Sequence, residues 1–439
     1  MNMINIPAPK CHYYNKRSVE LLEYIEEIVP IKKEVKEYNE RTCIPVQKIE
    51  NIISSPREFS FSESNEIIKV IEHANETDYI INEHNINEFS KCINDIHNIK
   101  DIRATVSKSF IRTKTLDWFF TVKKEKQIQC EFMQYIVDQI NNVVKSYTVY
   151  FPMSHLYTQK TIKLAMVKIE PIPVDQLEQI LPKDTGGKLY KNKAFVSTTI
   201  LGEKEYAADI AYRFCSLAVD ILKICSKLTF EPNNYGYCLD IDRNIQTPSH
   251  YRYFIQDAQN KEFVSSNFKV EIHDCEIDDE YWKFLIEHDL PLFESFLSNI
   301  QNKETELKKI IIASIQNLSE ALSIRDKYKR VVQLCSILDT IALKDTEVGI
   351  KESIRKYIPI LVASKGNKRK IAQDNISKMY DIRSQYIHHA KKNPFTERDL
   401  YALHWTVFLL IRRMIIETNN HNSMKEILQE IEDKFMSIE

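Results

Sequence analysis

The stretch KRKIAQDNISKMYDIRSQYIHH, residues 368–389, decides the reading of this chain: a polar run whose apolar residues recur at helical spacing. Ile376, Met379, Arg383, Ile387 and Ala390 follow at intervals of three, four, four and three, the seam of one helical face. An arginine in the middle of an apolar seam is expensive to bury unless it is paired. A carboxylate from a neighbouring helix is therefore expected, and Asp339, inside the apolar run Val331–Leu343, is placed to supply it. Asp381 is less suited, because positions two apart on a helix point to different faces.

Similar patterns surround this stretch: Thr305–Ser323, Asp326–Leu343, Ile350–Ala363, Thr396–Thr418 and Ser423–Phe435. Their breaks fall at Gly349, at Lys365-Gly366-Asn367 and at Asn393-Pro394. Thr396 and Asp399 have the spacing of a helix N-terminal cap. Short connections imply antiparallel neighbours, so residues 301–439 read as a helical bundle.

Upstream the pattern changes. Ser146–Phe151, Thr161–Ile169, Ala194–Ile200, Gly236–Ile241, His250–Ile255 and Phe263–Ile272 are short, rich in β-branched and aromatic residues, and read as strands. Glu203–Leu228 between them carries a broad apolar stripe and reads as a helix. Residues 111–300 are thus expected to form a mixed α/β domain. Residues 1–110 read as a helical segment, with Ser18–Tyr38 and Asn65–Ala74 as amphipathic helices. The expected fold class is an α+β N-terminal region followed by an all-α C-terminal helical bundle.

Composition narrows the function classes. Six glycines in 439 residues argue against glycine-rich nucleotide folds. Nine scattered cysteines without a C-x-x-C pair read as reduced thiols. No apolar run approaches the ~18 residues that span a bilayer, and Met1–Arg17 lacks the apolar core of a signal peptide. A cytoplasmic protein without a membrane partner is expected. The net charge of −2 conceals an asymmetry, +6 from residue 301 onward against −8 before it. Lys368, Arg369, Lys370, Lys391 and Lys392 flank the deciding stretch and suit a polyanion such as RNA.

Two further signals are weak. Thr185-Gly186-Gly187-Lys188 lacks the spacing of a phosphate loop and reads as a plain loop. His273, Cys275 and the acidic run Glu276, Asp278, Asp279, Glu280 have no second His/Cys pair at zinc spacing and read as a solvated turn. No metal or cofactor is expected.

The chemistry that fits residues 368–389 is metal-independent RNA cleavage. Attack of a 2′-hydroxyl on the adjacent phosphate needs a proton carrier active near neutral pH, and histidine is the natural one. It also needs a fixed cation on the phosphoryl oxygens, and the planar, permanently charged arginine fork supplies that. Arg383 and His388 provide the pair, with Ser384, Tyr386 and His389 beside them. Five residues turn about 140° around a helix, so the two do not share a face on a regular helix. Two copies of the segment facing each other would pool their residues. Spacing alone does not single out a site, since Arg398 and His404 stand six apart.

The wording around Arg383 adds a resemblance. An apolar helix followed by a long helix ending in Met379-Tyr380-Asp381-Ile382-Arg383-Ser384 and then His388 resembles the C-terminal R-x4-H motif of the HEPN superfamily, most closely its Apea-like branch. The resemblance covers about residues 320–418 and matches Tyr380, Arg383, Ser384 and His388, with Asp339 where the family often has an acidic residue. The branch usually places glycine after the histidine; here it is His389, which leaves open which histidine acts. The resemblance implies a dimerising bundle with a composite active site, cutting RNA such as tRNA or mRNA. It also implies a role in bacterial anti-phage defence or as a toxin, with a trigger, phage-derived or other, sensed by the N-terminal region. A different class is a catalytically inactive bundle that dimerises or binds nucleic acid as a scaffold. A nucleotidyl-transferring enzyme would need a nucleotide loop beside metal-binding carboxylates, and the sequence shows neither pattern.

Overall fold

The computed structural model describes residues 4, 6–28, 57–61, 67–74, 77–154, 156–171, 194–230, 239–241, 250–256, 263–269, 275–300, 304–324, 326–342, 350–363 and 366–436. The Thr185–Lys188 loop, His273 and the breaks at Gly349 and Lys365 lie outside these residues. The chain divides into two compact units, one of residues 1–147 with 200–210, the other of 148–199 with 211–439. These units run differently from the three segments expected from composition.

In the first unit, helix Ala8–Leu22 (α1) leads into strand Ile25–Ile28 (β1), which joins Arg57–Phe61 (β2), Ile67–Ala74 (β3) and Thr77–Ile81 (β4). They form an antiparallel sheet in the order β1-β4-β3-β2. Within the helix expected over Asn65–Ala74, Ile67–Ala74 is therefore a strand, and within the one expected over Ser18–Tyr38 the described residues end in strand Ile25–Ile28. Apolar residues at 67, 68, 70 and 71 fit either period; the β-branched side chains and pairing on both sides decide for the strand, with Val70 opposite both Phe59 and Ile81. Glu72 is buried on this sheet and accepts hydrogen bonds from Arg57 Nε at 2.8 Å and Lys124 Nζ at 2.7 Å, the pairing a buried carboxylate requires.

Helices Glu83–His97 (α2), Lys100–Arg103 (α3), Lys108–Glu125 (α4) and Phe132–Val143 (α5) complete the unit. Ser107 caps α4 by accepting from the Phe110 N–H at 3.1 Å. Phe89, Trp118, Phe119 and Phe132 interlock in its core, with ring centroids 5.0–5.6 Å apart. Residues 200–210 are pinned here by the Glu203 N–H, which donates to Thr105 O at 2.7 Å. A Cβ on Gly202 would lie 2.9 Å from that same carbonyl oxygen and 2.5 Å from the Tyr206 ring.

The second unit holds most of Lys145–Ser154 (β5), then Leu156–Tyr157 (β6), Ile162–Leu164 (β7), Val167–Pro171 (β8) and most of Ala194–Gly202 (β9). Helices Lys204–Ile224 (α6) and Lys227–Phe230 (α7) follow, then strands Asp240–Ile241 (β10), His250–Gln256 (β11), Phe263–Lys269 (β12) and Cys275–Glu276 (β13). Strands β10-β5-β9-β8-β7 form one sheet, while β11 pairs with β12 and β13 with β6. Thr161–Ile169 is a hairpin and not a single strand, because the chain turns at Ala165, whose φ is 55°.

Helices Asp279–Glu287 (α8) and Leu290–Ser298 (α9) lead into six more, Glu306–Ser323 (α10), Lys327–Ala342 (α11), Ile350–Val362 (α12), Asn367–His389 (α13), Glu397–Glu417 (α14) and Met424–Met436 (α15). Each of the six lies within a residue or two of its sequence-based limits. Thr396 and Asp399 form a reciprocal capping box at the start of α14. One hydrophobic core joins these helices to the sheet and to α6. Beside it, Ser319 on α10 donates to Asp220 on α6 at 2.6 Å. Among the described residues no helix is long and apolar enough to cross a membrane.

His404 of α14 is fully buried and neither ring nitrogen has a hydrogen-bond partner. Burial, reinforced by the nearby Arg330 charge, depresses its pKa to about 3. The unfolded chain takes up the proton near pH 6.5, so the folded state is favoured fully above that pH and progressively less down to about 3. Wild-type stability is expected to fall by ~2 kcal/mol between pH 7 and pH 5 from this group alone, and His404→Leu to remove that slope in urea titrations. In the other unit, Gly202→Ala should lower stability by roughly 1–3 kcal/mol in the same measurement, because the added methyl would meet the Thr105 carbonyl oxygen at 2.9 Å as well as the Tyr206 ring at 2.5 Å.

Candidate active site

The candidate site grows from the contact of α11 with α13. Ile376, Met379, Tyr380 and Ile382 form the buried face of α13. The seam expected from spacing holds only in part: Ile376 and Met379 are buried, but Ile387 is 44% exposed and Ala390 lies at the surface. Arg383 consequently sits at the edge of the packed face, with a quarter of its side chain exposed.

Asp339 faces it from α11. Asp339 Oδ2 lies 3.5 Å from Arg383 Nη2, the pairing that the apolar seam called for. Asp381 instead pairs with Lys351 of α12. The other oxygen of Asp339 is taken: Tyr380 Oη donates to Oδ1 at 2.6 Å. That length is typical of a hydroxyl bonded to a charged oxygen, whereas 3.5 Å is beyond the 2.7–2.9 Å of a closed arginine–carboxylate pair. The Arg383 guanidinium also lies over the Tyr380 ring, 5.3 Å from its centroid. Its Nε is shielded from solvent and has no hydrogen-bond partner.

Burial first, and the Asp339 carboxylate second, push the Tyr380 phenol well above its ordinary pKa, so it stays a donor. The buried thiol of Cys335, one turn before Asp339, is raised by the same two causes and is an unreactive packing group.

Helix α13 ends at His389 with Ala390 in the left-handed conformation, φ 52°, and the Lys391 N–H donates to Gln385 O at 3.1 Å. His388 and His389 stand exposed in this last turn, their ring centroids 6.5 Å apart. Arg383 is directed at α11 while His388 faces solvent, so one chain leaves the two on different faces. Ser384 is half-buried beside Arg383. Tyr386 is a packing residue: it stacks on Tyr328 of α11, with centroids 5.5 Å apart. Tyr328 in turn contacts Phe395 edge-on and donates to Asn393 O at 3.0 Å, which fixes the connection to α14.

The five basic residues form two groups at opposite ends of α13. Lys391 and Lys392 adjoin the histidines; Lys392 Nζ lies 5.4 Å from the Tyr328 ring centroid and 3.7 Å from Asp326. Lys327 Nζ approaches the same ring to 5.9 Å, a cation that the composition of residues 365–399 did not reveal. Lys368, Arg369 and Lys370 lie some twenty residues back, about 30 Å at the helical rise. Arg369 Nε is bonded to Ala363 O at 2.9 Å. They are not one patch with the histidines. The competing pair Arg398 and His404 is split, Arg398 exposed and His404 in the core. Among the described residues, no three His, Cys, Asp or Glu side chains gather as a metal-binding group.

Sequence reasoning favoured Tyr386 over Tyr380 as an assisting group, and the contacts reverse that order. The signal was available: Tyr380 stands three residues before Arg383, the spacing that puts two side chains on one side of a helix.

Compared with protein-family models, with curated proteins and with solved structures, the chain matches none. The R-x4-H resemblance therefore rests on the motif residues themselves.

Replacing Asp339 with Ala would strip a partner from Tyr380 Oη and leave the half-buried Arg383 charge unpaired. Chemical denaturation is expected to show a loss of about 2 kcal/mol, and a loss under 0.5 kcal/mol would mean the cluster contributes no stability.

Proposed function

We propose that the protein is a metal-independent endoribonuclease of the HEPN type, acting as a homodimer. The observation that carries this reading is Arg383, a loosely paired arginine with an unsatisfied Nε, on the helix that ends in exposed His388 and His389. A half-tethered guanidinium keeps N–H groups to donate to a phosphodiester, and the lysines beside the histidines extend the positive surface.

In the proposed reaction the 2′-oxygen attacks phosphorus as the P–O5′ bond breaks, giving a 2′,3′-cyclic phosphate and a 5′-hydroxyl. Arg383 holds the non-bridging oxygens, where charge grows in the transition state. His388 removes the 2′-hydroxyl proton, and a second imidazole, His389 or His388 of the partner subunit, protonates the leaving oxygen. The different faces taken by Arg383 and His388 on one chain favour the two-copy arrangement, in which the arginine of one and the histidine of the other meet. Asp339 orients Arg383, and Lys391, Lys392 and Lys327 receive flanking phosphates. Following the resemblance, we place the activity in bacterial anti-phage defence or toxin function, with residues 1–300 receiving the trigger.

That same separation favours one competing reading, a catalytically silent bundle that dimerises or binds nucleic acid. Incubating the purified protein with total RNA in EDTA separates the two. Cleavage with 2′,3′-cyclic phosphate ends is expected for wild type, and at least a hundredfold less for His388→Ala at unchanged circular dichroism. Intact RNA with wild type would favour the silent bundle, and undiminished cutting by His388→Ala would remove that histidine from the mechanism. Sequencing RNA ends in cells expressing either form would identify the substrate.

A further inference from the structure

One carboxylate serves two donors in the cluster between α11 and α13, and it serves them unequally. Tyr380 Oη holds Asp339 Oδ1 at 2.6 Å, while Arg383 reaches Oδ2 only at 3.5 Å. An arginine and a carboxylate left to themselves close into two parallel hydrogen bonds at 2.7–2.9 Å. Here that closure has not happened, although Arg383 has a shielded Nε with no other partner. With Oδ1 anchored on the Tyr380 hydroxyl, the carboxylate is held where Oδ2 stops 3.5 Å from Nη2 and neither oxygen bonds Nε. The ring of Tyr380, only 7% exposed, also carries the guanidinium on its face, at 5.3 Å.

We infer that Tyr380 is a positioning residue that withholds Asp339 from Arg383 and so keeps the guanidinium free to take a phosphate. The inference rests on the reading of Arg383 as the phosphate clamp and adds a control to it. Carboxylate and phosphate compete for the same fork of N–H groups, so a closed pair with Asp339 would have to be broken for each substrate. By anchoring the carboxylate at this distance, the tyrosine leaves Asp339 near enough to orient the arginine but too far to close on it. Removing the hydroxyl while keeping the ring should therefore weaken phosphate binding by letting Asp339 close on Arg383. A hydroxyl that only held α13 in place would have no such effect on Arg383.

The test uses the full chain and a fully 2′-O-methylated RNA hexamer, which 2′-oxygen attack cannot cleave. The Nε–H resonance of Arg383, assigned by its loss in Arg383→Lys, reports the pair directly. In Tyr380→Phe this resonance is expected to shift and its exchange with solvent to slow. Hexamer affinity should fall about fivefold, the scale of one net hydrogen bond. Adding Asp339→Asn to Tyr380→Phe should reverse the change in the resonance, since an amide does not capture the guanidinium as an ion.

An unmoved resonance in Tyr380→Phe, or a shifted one that persists in the double variant, overturns the inference. If Tyr380→Phe does not fold, the Arg383 Nε–H resonance in Asp339→Asn decides. A position and exchange rate close to wild type show that the carboxylate was not holding Nε and support the inference. A shift with faster exchange, the mark of a closed pair lost, overturns it. Wild type that binds the hexamer yet leaves unmodified RNA intact would defeat the nuclease reading, while the resonance still judges Tyr380. Wild type and Tyr380→Phe that cut equally well would defeat the inference and leave the nuclease standing.

Discussion

The Asp339 carboxylate is the constraint on which the candidate site depends. It lies on a helix whose other side is core, so its position is fixed by packing before it meets any polar group. The side chain is only 17% exposed, and a charge held at that depth must find donors. The two within reach come from one turn of the neighbouring helix, a phenol and a guanidinium. Because the phenol is bound tightly and the guanidinium loosely, the cluster supports the helix contact while one of its members stays incompletely satisfied. Unpaired donors at a protected position are destabilising. Arg383 Nε is such a donor in an otherwise well-packed contact.

The helical half of the chain was legible because its signals were redundant. Apolar period, capping residues and turn residues all agreed from Thr305 to Phe435, and the capping box at Thr396 and Asp399 formed as its residue types dictate. The partnership of Arg383 with Asp339 was legible for a physical reason, since an arginine on an apolar face needs a carboxylate and few were available. What failed was the first sheet. Ile67–Ala74 has apolar residues that satisfy both periods, and a strand is stabilised by partners far along the chain that no local window contains. The extent of the apolar seam was also misjudged, because α13 leaves its neighbours after Tyr386 and the following Ile387 meets solvent. The basic patch divided for a related reason: residues close in number at the two ends of a long helix are far apart in space.

The aromatic group of Tyr328, Tyr386 and Phe395 gives the end of α13 its shape. It anchors the connection that carries Lys391 and Lys392, and it gathers Lys327 from another helix to the same ring. The histidines are thus flanked on one side by a rigid aromatic support and on the other by open surface. Lys378 adds a second tether, reaching Asp399 at 2.7 Å and tying α13 to the capping box of the next helix.

Residues 200–210 belong with 1–147, while the chain on either side of them belongs with the other unit. The polypeptide therefore passes between the units three times, and neither unit is a single contiguous piece of sequence. A cut at any one point cannot separate them cleanly: a chain beginning at residue 148 carries the Gly202–Glu203 segment without the Thr105 carbonyl that receives it. Strand β9 and helix α6 each run through a boundary without a linker, so the two units share backbone as well as sequence.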